Sequence, residues 1–161
     1  MTTPGYYNSG KRLEEGKRYQ FHVIGQVMLQ DEKIYYILED PFKIRHLLYS
    51  GLYKNYRIET GQMIICKVDK INCTGRVYLE PDHPFYSEGH TYDFNFSTIS
   101  KNAQSDKKSL IVFDMFDNEI SLDCPKHFMC EAGKIACKII RLRKGKPMLV
   151  LAPDFKWNPD L

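Results

Sequence analysis

The sequence predicts an all-β protein built from two tandem five-stranded barrels, with a short helical segment in the first. An internal repeat carries this prediction. Residues 61–81 and 133–153 align at a constant shift of 72 positions, and both segments begin with glycine and end with proline. Residues 15–21 and 88–94 align in the same way at a shift of 73. Self-similarity at a fixed period indicates a duplicated structural unit.

The first unit is predicted to contain five short strands and one longer connection. Tyr19, Phe21 and Val23 alternate with other side chains, as in a strand with one buried face. Asp40 begins a turn with the proline that follows it, and this turn ends the second strand. Residues 49–60 join the third strand to the fourth and are predicted to hold the short helical segment. The predicted strands are residues 19–24, 34–38, 43–48, 63–71 and 76–79.

The second unit repeats this order of strands. Residues 100–108 form a loop rich in Asn, Ser, Asp and Lys, which suits contact with solvent. Residues 144–147 form the turn of the last hairpin. Five short strands left as an open sheet would expose unpaired edges, so we expect each unit to close into a barrel. The predicted strands are residues 91–99, 110–113, 119–122, 134–142 and 148–151.

The domain boundaries follow from the repeat and from local composition. Residues 1–14 lack apolar periodicity and are predicted to be a flexible amino-terminal arm. The two domains are residues 15–81 and 88–161. Residues 82–87 form the linker between them, in which proline keeps the backbone stiff and extended.

Composition limits the class of protein without naming its partner. Of the 161 residues, 43% are hydrophobic and 13% are aromatic, which suits a packed domain and argues against disorder. The net charge of +3 permits nucleic-acid binding but does not require it. The amino terminus lacks the apolar region of a signal peptide, and no apolar run is long enough to span a bilayer. Five cysteines without a repeated framework suggest free thiols, so we predict a cytoplasmic protein with no membrane partner.

One segment resembles a known family. The sequence KVDKINCTGRVYL, residues 67–79, resembles the closing hairpin of S1-type RNA-binding domains. Residues 44–48 also resemble the S1 strand that carries a histidine, and residues 58–62 resemble the polar-Gly-polar approach to the fourth strand. The matched positions of the hairpin are Ile71, Asn72, Gly75, Arg76 and Leu79.

The resemblance implies that both units are OB-fold barrels. It also implies that the nucleic-acid face of the first unit uses His46 and Arg76, with Tyr36 near the position of the stacking aromatic. Asn72 stands where the family usually has an acid, and the Gly-rich signature before the histidine strand is missing. In the second unit Lys146 stands near the arginine position, and no histidine matches.

On an OB-fold, the second and third strands and two neighbouring loops offer a surface for unpaired bases and phosphates. One of Tyr35 and Tyr36 must point inward, because neighbouring strand residues alternate between faces. Residues 141–146 carry four cations and could hold phosphates, although an ordinary solvated turn would look the same. The predicted nucleic-acid-binding residues are Tyr36, Arg45, His46, Arg76, Phe113, Phe116, Arg141, Arg143, Lys144 and Lys146.

No catalytic or metal site is predicted. Cys124, His127, Cys130 and Cys137 do not form the two tight pairs that are typical of a structural zinc site. No phosphate-binding loop, nucleophile elbow or metalloprotease motif occurs in the sequence. We therefore expect no cofactor, no bound metal and no enzymatic activity.

The leading functional prediction is a non-catalytic protein that binds single-stranded RNA or DNA, RNA being favoured, by aromatic stacking and basic loops. The alternative is a protein-protein interaction adaptor, or an accessory module of a larger nucleic-acid-processing assembly, because OB barrels serve both roles. Four acids near the second face favour this alternative if they share that face with Phe113 and Phe116. They are Asp114, Asp117, Glu119 and Asp123.

Overall fold

The structure, a computed structural model, describes residues 12–126, 128 and 133–152. Two five-stranded antiparallel sheets confirm the prediction of an all-β protein. The chain divides into two units, Met1–Pro84 and Phe85–Leu161, and each holds one sheet. Within the described residues, no helix is both long and apolar enough to cross a membrane.

Unit one forms a sheet with the strand order β3-β2-β1-β4-β5. Its edge strands, β3 and β5, approach each other at only a few positions. The strands are β1 (Arg18–Met28), β2 (Ile34–Glu39), β3 (Arg45–Tyr49), β4 (Met63–Ile71) and β5 (Val77–Pro81).

The short helical segment predicted for unit one is not seen. The connection between β3 and β4 holds two 3₁₀ turns of three residues each, Ser50–Leu52 and Lys54–Tyr56. Neither turn has a side-chain cap at its start, and the second ends at Arg57 with a left-handed backbone (φ 55°). Gly51 further disfavours a longer helix, because glycine loses more backbone freedom than other residues when it becomes helical.

Unit two has the equivalent strand order, β10-β9-β6-β7-β8. Its edge strands, β8 and β10, lie alongside each other, so this sheet nearly closes into a barrel. The strands are β6 (Thr91–Lys101), β7 (Lys108–Phe113), β8 (Glu119–Asp123), β9 (Lys134–Arg143) and β10 (Lys146–Leu151).

Each unit buries its own hydrophobic core, and matching positions fill the two cores. Phe21 and Phe94 occupy the same place on the first strand of each unit, and both are fully buried. Cys66 on β4 and Cys137 on β9 lie in the same two cores and are also fully buried. Burial raises the pKa of both thiols, that of Cys137 to about 12, so they remain protonated and pack as small apolar groups.

Strand pairing corrects the alignment of the repeat by one residue. Tyr19 lies opposite Cys66 in unit one, and Tyr92 lies opposite Cys137 in unit two. The first strands therefore match at a shift of 73 but the fourth strands at 71, whereas the sequence alignment used 72. Alignment on glycine and proline missed this difference, although residues 64–67 (IICK) and 135–138 (IACK) share three identities at a shift of 71.

A cluster of hydrogen bonds fixes the start of β1 to β4, and we call it the first-strand clamp. The backbone N–H of Glu14 donates to the Tyr19 hydroxyl (3.0 Å), and the backbone N–H of Ile71 donates to the Glu15 carboxylate (2.7 Å). The backbone N–H of Gly16 donates to the Val68 carbonyl at 2.8 Å. Gly16 has a left-handed backbone (φ 80°), which glycine adopts without steric cost.

The same clamp recurs in unit two. Ser87 N–H donates to the Tyr92 hydroxyl (2.9 Å), and Leu142 N–H donates to the Glu88 carboxylate (3.0 Å). Gly89 has the same left-handed backbone (φ 83°) as Gly16. Its N–H donates to the carbonyl of Ile139, the β9 residue equivalent to Val68. The repeated Glu-Gly-x-x-Tyr sequence therefore supplies the residues that make the same hydrogen bonds at the first and fourth strands of each unit.

The predicted arm and linker belong in part to the two units. Residues 1–11 lie outside the described residues, but Leu13 is buried in the core of unit one, so the flexible arm does not extend to residue 14. In the predicted linker, Asp82 forms an ion pair with Arg18 of unit one, and Tyr86 packs into the core of unit two.

The clamp generates a stability prediction. Replacing Glu15 with Ala should lower the free energy of unfolding by about 1 kcal/mol, because the Ile71 N–H loses a charged acceptor. Hydrogen exchange at the Ile71 amide and urea unfolding measure the effect. Glu15→Gln keeps an acceptor and should lose less, and Glu59→Ala removes an exposed carboxylate elsewhere as a control. Unchanged exchange at Ile71 in Glu15→Ala would contradict the role given to the clamp.

Candidate nucleic-acid interface

A groove of about 920 Å³ in unit one collects side chains from distant parts of the chain. Its walls come from the segment before β1, from β2 and β3, and from the β4–β5 hairpin. Three arginines line this groove: Arg12, Arg45 and Arg76. His46 and Tyr35 line it as well. The structure thus brings together three of the predicted site residues, Arg45, His46 and Arg76.

The carboxylates along the groove already have hydrogen-bond partners. Glu14 forms an ion pair with Lys17, whose hydrogen bond lowers the pKa of Glu14, and Glu15 accepts from the Ile71 backbone as described above. Asp40 is 3% exposed, and both of its carboxylate oxygens have hydrogen-bond partners. In contrast, the Arg45 side chain is exposed and makes no hydrogen bond or ion pair with any described residue. The positive charge of Arg45 is therefore open to a ligand.

Asp40 organises the turn between β2 and β3. One carboxylate oxygen accepts from the backbone N–H groups of Phe42 (2.8 Å) and Ile44 (3.0 Å). The other lies 2.9 Å from His46 Nε2. Because an ionised carboxylate can only accept, the proton of this hydrogen bond lies on Nε2. The His46 ring also stands edge-on to Phe21, with ring centres 6.1 Å apart, so its orientation is fixed from two sides.

Unit two contains the same turn without the histidine. Asp114 accepts from the backbone N–H groups of Phe116 (2.9 Å) and Asn118 (2.8 Å), and its second oxygen accepts from Asn118 Nδ2 at 2.9 Å. Asp114 is buried, so it is not one of the surface acids expected from the sequence. Phe116 is half-buried within this turn.

The prediction that Tyr36 stacks on bases is wrong. Tyr36 is 7% exposed and packs in the core of unit one, because it is the inward-facing member of the Tyr35–Tyr36 pair. Tyr35 faces outward and lines the groove. Its hydroxyl donates to Asp31 at 2.6 Å, a hydrogen bond that raises the pKa of Tyr35.

Two further tyrosines on this unit were missed by sequence reasoning. Tyr49 pairs with Tyr35 across β2 and β3, with ring centres 5.6 Å apart, and Lys33 Nζ lies 5.1 Å from the centre of the Tyr49 ring. Tyr78 is exposed on β5, and the Arg76 guanidinium lies 5.1 Å from its ring centre. The alternation of β3 and β5 could have indicated both residues once the inward positions were known.

Asn72 shapes the hairpin that carries Arg76. Its side-chain oxygen accepts from the backbone N–H groups of Thr74 (3.0 Å) and Arg76 (2.8 Å), and from the Thr74 hydroxyl (2.6 Å). Gly75 takes a left-handed backbone (φ 84°) within the same turn. Side-chain caps of this kind favour a single turn conformation, so the backbone at Arg76 is held in place.

The equivalent face of unit two carries exposed acids. Phe113 is half-buried on β7 and lies directly opposite Glu119 on β8, and Asp123 lies opposite Ser109 at the other end of the strand pair. The first residue of β3, at the place of Glu119, is Arg45. Acids therefore share this face with Phe113, which disfavours phosphate binding there.

The remaining predicted residues lie on the β9–β10 hairpin of unit two. Arg143 and Lys146 are exposed and pair across the strands, and Arg141 is half-buried on β9. Lys144 is exposed in the turn, where it adopts a left-handed backbone (φ 52°). The cations predicted from the sequence thus stay together on one hairpin.

The residues considered for a metal site lie partly inside and partly outside the described residues. The described residues contain no group of three or more His, Cys, Asp or Glu side chains that could hold a metal ion. His127 and Cys130 lie outside the described residues, so their spacing relative to Cys124 stays a sequence-based argument.

Comparison with protein-family models, with curated proteins and with solved structures found no match. The S1 resemblance therefore stays a prediction based on short motifs. The groove of unit one and the surfaces of unit two are the structural features that bear on function.

Proposed function

We propose that unit one is an OB-fold domain that binds single-stranded nucleic acid, RNA in the first place, without catalysing a reaction. The strand order β3-β2-β1-β4-β5 supports the OB-fold, since that fold is a partly open five-stranded barrel. OB-folds bind oligonucleotides on the face of the second and third strands and at the loop between the fourth and fifth. The groove of unit one lies against these same elements.

The meeting of Arg45 and Arg76 beside Tyr35 carries this proposal. Cations in a groove hold the phosphates of a nucleic-acid chain, and an aromatic ring stacks on an unpaired base at a gain of about 1–3 kcal/mol. The tyrosine rings on β2 and β3 give two neighbouring platforms, Tyr35 and Tyr49. A duplex keeps its bases stacked inside the helix, so these rings favour a single strand.

The proposal places base stacking in unit one rather than in both units. In unit two, Glu119 and Asp123 would repel phosphates from the face that carries Phe113. The predicted nucleic-acid-binding residues lie in both units, and for base stacking the proposal narrows them to unit one.

Removing a groove cation should weaken binding and reduce its salt dependence. Arg45→Ala and Arg76→Ala should each lower the slope of log K against log salt by about 0.7, the value for one phosphate contact on a single strand. Fluorescence anisotropy with RNA and DNA oligomers across a salt series measures this. Lys107→Ala removes an exposed cation of unit two as a matched control. Absence of binding to any oligomer at low salt would overturn the proposal.

Removing the stacking ring should weaken binding without changing its salt dependence. Tyr35→Leu should cost about 1–3 kcal/mol of binding free energy, because a base loses its aromatic platform while the phosphate contacts stay. The same anisotropy series separates affinity from slope. Tyr35→Phe keeps the ring and should bind nearly as the natural chain does. Equal losses in the two variants would show that the hydroxyl, and not stacking, matters at this position.

A further inference from the structure

The outer face of the β9–β10 hairpin in unit two carries exposed apolar side chains among cations. Ile140, Met148 and Val150 are 51%, 47% and 41% exposed. Met148 and Val150 alternate on β10, so they share one face of the strand, and Val150 lies opposite Lys138 on β9. We call this surface the hairpin face; its members are Lys138, Ile140, Arg143, Lys146, Met148 and Val150.

The charge and residue types of the hairpin are uniform. Residues 134–151 contain six lysines and arginines, no aspartate or glutamate, and no aromatic residue. A surface that places positive charges around aliphatic side chains complements a partner that carries carboxylates and apolar groups. Contiguous exposed apolar groups with a polar rim are typical of interaction sites.

Unit one covers one of the equivalent positions with its own chain. Glu80 pairs with Lys67 in unit one as Val150 pairs with Lys138 in unit two, so Glu80 and Val150 are equivalent positions. Glu80 is 7% exposed, and the Tyr53 hydroxyl donates to it at 2.7 Å.

The other two apolar positions differ between the units in the same way. Tyr78 stands where unit two has Met148, and the Arg76 guanidinium lies over its ring. Asp69 stands where unit two has Ile140, as the extra residue of the strand bulge. At these places unit one carries a covered glutamate, an aspartate and an exposed tyrosine, whereas unit two exposes three aliphatic side chains.

We propose that the hairpin face binds an acidic protein segment that carries apolar side chains. Carboxylates of the partner would pair with Lys138, Arg143 and Lys146, and its apolar side chains would cover Met148 and Val150. This site is independent of the groove in unit one and does not depend on nucleic-acid binding there.

Two other occupants fit the hairpin face less well. Single-stranded nucleic acid is held by aromatic stacking as well as by cations, and this hairpin has no aromatic residue. A membrane-inserting hairpin would need apolar residues at its tip, but the tip consists of Lys144 and Gly145, with the apolar side chains behind it on the strands. A protein partner accounts for both the cations and the aliphatic groups.

Selection from a random dodecapeptide display library on the full chain tests this inference. We expect the enriched peptides to combine Asp or Glu with Leu, Ile, Met or Phe. Calorimetry with an enriched peptide should show binding about tenfold weaker for Met148→Ser with Val150→Thr, and also for Lys146→Glu, because truncating or reversing the charge of a central interface side chain costs affinity of this order. Met63→Ser, at an exposed methionine of unit one, is the matched control, and circular dichroism checks folding.

The other occupants give distinct results in the same set of variants. Enriched peptides without acidic residues, or acidic peptides whose binding ignores both hairpin variants, would overturn the proposal. An RNA oligomer or phosphatidylserine vesicles that bind the natural chain and are lost with Met148→Ser and Val150→Thr, while peptides are not, would assign the face to those ligands instead. Arg45→Ala tests unit one separately and should leave peptide binding unchanged.

Discussion

The hydrogen bonds between the first and fourth strands are the constraint on which the rest of each unit depends. In unit one, Glu15 accepts from the Ile71 backbone, and Ile71 is followed directly by Asn72, which caps the turn that carries Arg76. The clamp therefore fixes both the register of the sheet and the position of a groove cation. The same residue types make the same bonds in unit two, so the duplicated sequence preserves this geometry rather than a ligand contact.

The two units differ where the shared backbone meets solvent. Asp40 and Asp114 build the same turn, but the strand that follows begins with Arg45 in one unit and Glu119 in the other. The hairpin between the fourth and fifth strands differs as well, because Val150 is exposed where Glu80 is covered. A duplication that keeps the buried hydrogen bonds can change its outer faces independently, and the two units accordingly differ in surface charge and in exposed apolar side chains.

Much of the fold could be predicted, because strand alternation and the repeat can both be observed directly in the sequence. The facing of individual side chains could not. Bulges at matching places in β1 and β6 insert one residue each, at Ile24 and Ser97, and an inserted residue reverses which neighbours point inward. On β2, alternation requires that one of Tyr35 and Tyr36 point inward but does not indicate which one, and the family resemblance pointed to the buried Tyr36. The convergence of His46 and Arg76 was indicated only by the family resemblance, since nothing local links the two residues.

Asn72 stands where the family that this hairpin resembles usually has an acid, and the difference has a physical consequence for the groove. A carboxylate and an amide oxygen can both accept the backbone N–H groups of this turn, so the hairpin keeps its shape with either. A carboxylate would also place a negative charge beside Arg76 and offset part of the attraction of that cation for phosphate. The amide caps the turn without that charge. The departure from the family pattern therefore preserves the geometry of the hairpin and makes the groove more positive.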